Sequence, residues 1–148
     1  MFELHDLYDD CDNSDAFIMI WPGMPAPAAT IRDGECTCIA FDCTKLKTTR
    51  ELRGAAMHED GHLQTGCLHK VDSPYQIVAQ AEHRADAYSF QRFLTSNEIS
   101  EAMRNGYTQI WQLAEYFDLP EKTIQKALHY WTECKGIDFN KNTEDNPA

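Results

Sequence analysis

The apolar residues change their spacing once along the chain. Up to Phe41 they come in short runs, and from Lys45 onward they recur every three or four positions. Within residues 2–12, Phe2, Leu4, Leu7, Tyr8 and Cys11 fall near one side of a helical wheel with acids on the other, which predicts a short amphipathic helix. Ala16 to Trp21 is an apolar, β-prone run stopped by Pro22-Gly23, and Pro25 and Pro27 prolong the interruption. A strand followed by a loop is expected there. Ala28 to Arg32 and Glu35 to Phe41 form two more candidate strands, joined by Asp33-Gly34, a pair that tolerates the positive φ of a tight hairpin. The first third of the chain therefore predicts a small antiparallel sheet of about three strands.

The helical part has its own punctuation. Thr48-Thr49-Arg50-Glu51 is a capping box, in which a hydroxyl and a carboxylate satisfy the first free amides, and Gly66 is placed to end a helix over about residues 49–65. Ser73-Pro74-Tyr75-Gln76 offers a second start with Pro74 in the first helical position, and apolar spacing continues to Leu94. Ser96 is a candidate cap for a short helix through Arg104, before Asn105-Gly106. Thr108 to Phe117 makes another helix, and Glu121 to Cys134 a last one before Gly136. The expected fold class is α+β, a small N-terminal antiparallel sheet packed on a mainly helical domain. Residues 1–139 are read as one domain and residues 140–148 as a flexible polar tail.

Charge narrows the partners. Thirteen Lys+Arg against 24 Asp+Glu give a net charge of -11, a field that repels phosphate backbones and anionic lipid headgroups. Nucleic acid and membrane surface are disfavoured, and with no basic-apolar export signal and no run of about 18 apolar residues the chain reads as cytoplasmic. Six cysteines are then expected as reduced thiols. Cys36, Cys38 and Cys43 are close enough in sequence to consider metal ligation, yet Cys-x-Cys also fits a strand, and no second ligand pair follows at zinc-ribbon spacing. They are read as structural.

The chemistry concentrates in His58-Glu59-Asp60-Gly61-His62. Residues four apart lie almost above one another on a helix, so both imidazoles can reach one ion while Glu59 stands beside it as a base. A third ligand is offered by Glu82-x-x-x-Asp86, two acids on one helical face among Val78, Ala81, Ala85 and Ser89. An acidic pair on an inward stripe is costly unless it meets a cation. Antiparallel packing of the two helices would bring Glu82 to the ion and let Asp86 accept a hydrogen bond from a liganding His, fixing its tautomer. Two His, one Glu and an open position form the catalytic pattern for Zn2+: bound water is acidified, and Glu59 takes its proton as it attacks a peptide carbonyl. In the plainer alternative the same His residues are core or surface groups, and Glu82 and Asp86 pair with Arg84 or Lys70. His83 is read as rim, and His69 as solvated loop or an accessory group. Tyr75, Tyr88 and His69 are the candidates for stabilising an oxyanion.

These segments resemble the ImmA/IrrE-type metallopeptidases, small zinc proteins of bacteria and phages. Ala56-Met57-His58-Glu59-Asp60-Gly61-His62 is similar to that family's active-site helix, and Glu82-x-x-Ala85-Asp86-x-Tyr88 to its second motif. The flanks over about residues 16–136 are similar more softly. The resemblance implies zinc on His58, His62 and Glu82, Glu59 as base, and a protein substrate, plausibly a helix-turn-helix repressor of a mobile element encoded nearby. Two features depart from the family. Asp60 stands where an apolar residue is usual and would add negative charge at the site, and Thr95-Ser96 replaces an apolar-Pro ending.

Two rival functions follow from the same residues. One is a zinc-bound regulatory protein that binds a partner without turnover. The other is a DNA-binding helix-turn-helix over Leu113 to Ala127, whose reading helix carries only Lys122 and Lys126 beside Glu121, too little positive charge for phosphate contacts.

Overall fold

The computed structural model describes residues 1–68 and 74–141. In chain order the elements are α1 (Leu4–Asn13), β1 (Ala16–Ile20), β2 (Ala28–Asp33), β3 (Cys36–Phe41), α2 (Thr49–Thr65), α3 (Tyr75–Phe93), α4 (Ser96–Arg104), α5 (Ile110–Phe117), α6 (Glu121–His129) and a π-helical turn, Tyr130–Cys134. The α+β class expected from the spacing is the observed one. The described residues gather into two compact units, Phe2–Ser89 and, with Met1, the chain from Phe90 onward. No helix among the described residues is long and apolar enough to cross a membrane.

The sheet departs from the antiparallel expectation. Its order is β1-β3-β2, with β2 antiparallel to β3 but β1 parallel to it. The reason lies in the two connections. Asp33 pairs with Cys36, so the hairpin loop is Gly34-Glu35, one residue later than expected, and Gly34 takes the positive φ of 61° that the tight reversal needs. The proline-rich segment between β1 and β2 is too long for such a turn. It crosses the end of β3 instead, leaving β1 on the far side.

Asp42, at the end of β3, pins that crossing. Its buried carboxylate accepts from the backbone amides of Gly23 (2.9 Å), Met24 (3.1 Å) and Thr44 (2.9 Å), from the Thr44 hydroxyl and from Lys45 Nζ (3.0 Å). Those bonds, led by the ones from Thr44 and Lys45, hold the carboxyl well below its usual range. A group depressed in the folded state stabilises above its unfolded pKa and loses that contribution on acidification. Asp42→Asn is expected to melt well below wild type near neutral pH, with the gap narrowing below about pH 4; denaturation midpoints across pH check this.

Helices α1 and α2 cover one face of the sheet, burying Ile39 and Phe41 with Phe2, Leu7, Ala56 and Met57. Arg53 of α2, itself buried, ties the entry of α1 through Glu3 Oε2 (3.0 Å) and the Phe2 carbonyl. In the second unit, Phe90, Leu94, Ile99, Leu113, Phe117, Leu119, Ile124 and Tyr130 form the core. Thr95, not Ser96, caps α4, because Glu98 stands three residues after it and closes a reciprocal box (Thr95 N to Glu98 Oε2, 2.9 Å). The last helix leaves α geometry at Tyr130, where the Thr132 hydroxyl takes the Leu128 carbonyl at 2.8 Å, a back-bond that bends helices. Most of the predicted tail, 142–148, lies outside the described residues, as do His69, Lys70 and Ser73.

Candidate metal centre

α2 starts at the predicted box, Thr48 accepting from Glu51 N at 3.1 Å, and ends at Gly66 with φ 65°. That fixes where its last two turns point. Gly61 lies against α3: a methyl group there would overlap the Ala85 carbonyl and the Ser89 hydroxyl. Ser89 closes the same contact, its one hydroxyl proton lying within reach of the Met57 carbonyl of α2 (2.8 Å) or the Ala85 carbonyl of its own helix (3.0 Å). The two helices therefore meet at backbone distance one residue away from His62.

The close approach brings His58, His62 and Glu82 together, their donor atoms all within 4.8 Å of one another. Glu82 Oε2 is 2.9 Å from His58 Nε2, Glu82 Oε1 is 3.1 Å from His62 Nε2, and the two Nε2 atoms are 3.2 Å apart, with the rings at 88°. Ligands bonded to Zn2+ at about 2.0–2.1 Å in a tetrahedron stand about 3.3 Å from each other. The two Nε2 atoms are spaced for such an ion, and the Glu82 carboxylate touches both, so the residues fit a metal ion.

Each ring is oriented from behind. His58 Nδ1 donates to Asp86 Oδ1 at 2.8 Å and His62 Nδ1 to the Cys67 carbonyl at 2.8 Å, which leaves both Nε2 atoms to face the centre. Burial alone would depress the His58 imidazole, but hydrogen bonds to Asp86 and Glu82 and the charges of Asp86 and Glu59 outweigh it and raise it to about 10. His62 is raised as well, burial again opposing and Glu82 and the Cys67 carbonyl prevailing. Hydrogen bonds from the two imidazoles hold Glu82 well below the usual carboxylate range. The raised His58 stabilises the metal-free fold fully below its ordinary 6.5, an effect lost as pH rises through about 10. A metal ion at this site would compete for the same nitrogen, so its affinity is expected to climb over that window with at least one proton released per ion near neutrality. Calorimetry in buffers of different protonation enthalpy measures both.

Glu59, 7% exposed, projects to the side of the pair, toward β2, where Thr30 Oγ1 can donate to its Oε2 (2.8 Å) or to its own carbonyl (3.1 Å). Asp60 does not crowd the centre as expected. It lies 160–200° around α2 from the two imidazoles, at about 100° per residue, fully buried beside Cys11 of α1, whose thiol burial first and the Asp60 charge second push up to about 11. His83 is exposed, as a rim position should be, and Tyr75 is 85% exposed at the start of α3, while Tyr88 is half-buried. Arg84 Nη1 approaches the Cys67 sulfur (3.9 Å), and Glu82 and Asp86 both pair with His58.

Thr30 and the Cys67 carbonyl escaped sequence reasoning, and Ser89 was placed on the inward stripe without its bond to α2. Backbone carbonyls leave no mark in a sequence, and Thr30 meets Glu59 only through the packing of β2 on α2. No family model matches the chain, and neither a curated protein nor a solved structure is found to match it.

Proposed function

We propose that the chain is a zinc-dependent endopeptidase of the cytosol, in which His58, His62 and Glu82 hold the ion and Glu59 is the general base. The observation that carries it is the convergence of the two Nε2 atoms and the Glu82 carboxylate, one donor from each residue within 4.8 Å of the others, with Glu59 on the same helical turn. When bound, a divalent ion at this site acidifies water and polarises a carbonyl. The protein's own residues supply the rest. Asp86 and the Cys67 carbonyl keep both imidazoles in the tautomer that presents Nε2, and Thr30 holds the Glu59 carboxylate at the edge of the site, where it accepts the proton of attacking water and returns it to the leaving nitrogen. A peptide substrate is favoured because β2 pairs with β3 alone among the described strands. Its other edge can accept an extended segment beside Glu59. The resemblance to ImmA/IrrE-type peptidases points to a repressor encoded nearby.

Co-expression with the neighbouring repressor candidate tests this: a fragment that disappears on chelation and returns with zinc supports cleavage, and capture of an intact partner favours a non-hydrolytic regulator. Purified protein is expected to hold close to one zinc per chain. Glu82→Ala should lose it, since truncating a direct ligand costs more than the roughly 10–100-fold of an outer-shell change; unchanged metal content would remove Glu82 from the ligand set.

A further inference from the structure

β2 sets a cationic side chain one step from Thr30. Ala28, Thr30 and Arg32 alternate onto one face of the strand, the face on which Thr30 reaches Glu59 Oε2 (2.8 Å), with Phe41, Ile39 and Thr37 as their partners on β3. Residues two apart on a strand are separated by about 6.6 Å. Arg32 Nε donates to the Thr37 hydroxyl at 3.3 Å, and Thr37 is buried. That bond anchors the guanidinium and leaves Nη1 and Nη2, the edge that grips a carboxylate through two parallel bonds, without a partner among the described residues. Arg32 itself is exposed, and Asp33, next in sequence, lies on the other face by alternation. In a chain with 24 acidic residues, this cation is tethered by a neutral hydroxyl rather than neutralised.

Given the endopeptidase reading above, on which this depends, we propose that Arg32 determines specificity by selecting an aspartate or glutamate in the peptide substrate, about two residues to one side of the cleaved bond. β2 pairs with β3 alone among the described strands, so an extended segment can lie along its outer edge. In such a pairing the substrate residue opposite Arg32 turns its side chain to the same face as the guanidinium, with the Cβ atoms about 4.5–5.5 Å apart, the reach of a cross-strand ion pair. The substrate residue opposite Thr30 lies beside Glu59, so the bond presented to the base and the acid held by Arg32 are one step apart. The preference is one-sided, because Ala28, one step the other way, has no charge to pair. It is also confined to a single position. The net charge of -11 repels a run of acids, so the segment that gains is neutral or basic with one acid in the right place.

The test incubates the zinc-loaded protein with a randomised synthetic peptide library and locates each cut by mass spectrometry. Cut peptides should carry Asp or Glu at one fixed place relative to the bond, enriched about tenfold, the worth of a charge-assisted hydrogen bond. Arg32→Gln should erase that enrichment. Arg32→Lys should keep a weaker one, since it retains the charge without the fork, and Arg32→Glu should replace it with Lys or Arg at the same place. Each variant should retain its zinc and its circular dichroism, because Arg32 is exposed and is not among the converging donors. A purely structural role would not invert a charge preference at one substrate position. Wild-type cuts with no acidic position, or the same acidic position in Arg32→Glu, would overturn the role of Arg32 and leave the peptidase standing. A library left whole by the zinc-loaded wild type would overturn the peptidase reading, and the role of Arg32 with it.

Discussion

If the chain is the proposed zinc peptidase, Glu59→Gln is expected to keep the metal and lose cleavage. Glutamine has nearly the same shape, and its amide oxygen can still accept from Thr30 Oγ1, which lies 2.8 Å from Glu59 Oε2. What it cannot do is take a proton. General-base assistance contributes about 10²–10⁴-fold, so any fragment produced by wild type should fall below detection on the same timescale in the variant. Metal affinity, read by competition with a chromophoric chelator, should stay within a few-fold because Glu59 is not among the converging donors. An equally active variant would remove the base from the mechanism and leave only a metal-bound scaffold. The paired readouts also separate lost chemistry from a lost site: a variant short of zinc would indicate that Glu59 helps to build the centre.

Gly61→Ala should have the largest effect of any single methyl in the chain. The added carbon has nowhere to go, facing the Ala85 carbonyl and the Ser89 hydroxyl with both helices already fixed by the Ser89 contact. Overpacking of this kind costs roughly 1–3 kcal/mol, and here the obstacle is backbone, which places the expected loss at the upper end. Relief requires α3 to move away from α2. Glu82, one turn before Ala85, moves with it, so zinc affinity should fall together with the melting temperature. Ala55→Gly, in the same helix but outside this contact, is the comparison: it should weaken the helix by about 1 kcal/mol and leave the metal alone. A Gly61→Ala protein as stable and as zinc-avid as wild type would contradict the close packing of α2 on α3.

The helices were legible because their signals are local. The box at Thr48–Glu51 and the glycine at 66 set α2 to the residue, and the i, i+4 spacing of the two histidines put them on one face before any packing was known. Glu82 and Asp86 were legible as a pair because acids on an inward stripe need a counter-charge. The parallel pairing of β1 was not legible, since strand order depends on where a proline-rich crossing is pinned, and the pin is the side chain of Asp42. Asp60 misled because proximity in sequence to two ligands implied proximity in space, whereas 100° per residue turns it to the other flank of the helix. The cap of α4 moved by one residue for an equally local reason, the position of Glu98.

The three-stranded sheet is fastened at both of its seams, by a two-residue reversal between β2 and β3 and by the Asp42 carboxylate at the end of β3. Side chains alternate sides along a strand, so a slip of β2 by one place would swap the hydroxyl of Thr30 for the methyl of Ala29 or the butyl group of Ile31 against Glu59. The alignment of a hairpin some thirty residues upstream thus decides whether the carboxylate meets a donor or a hydrocarbon.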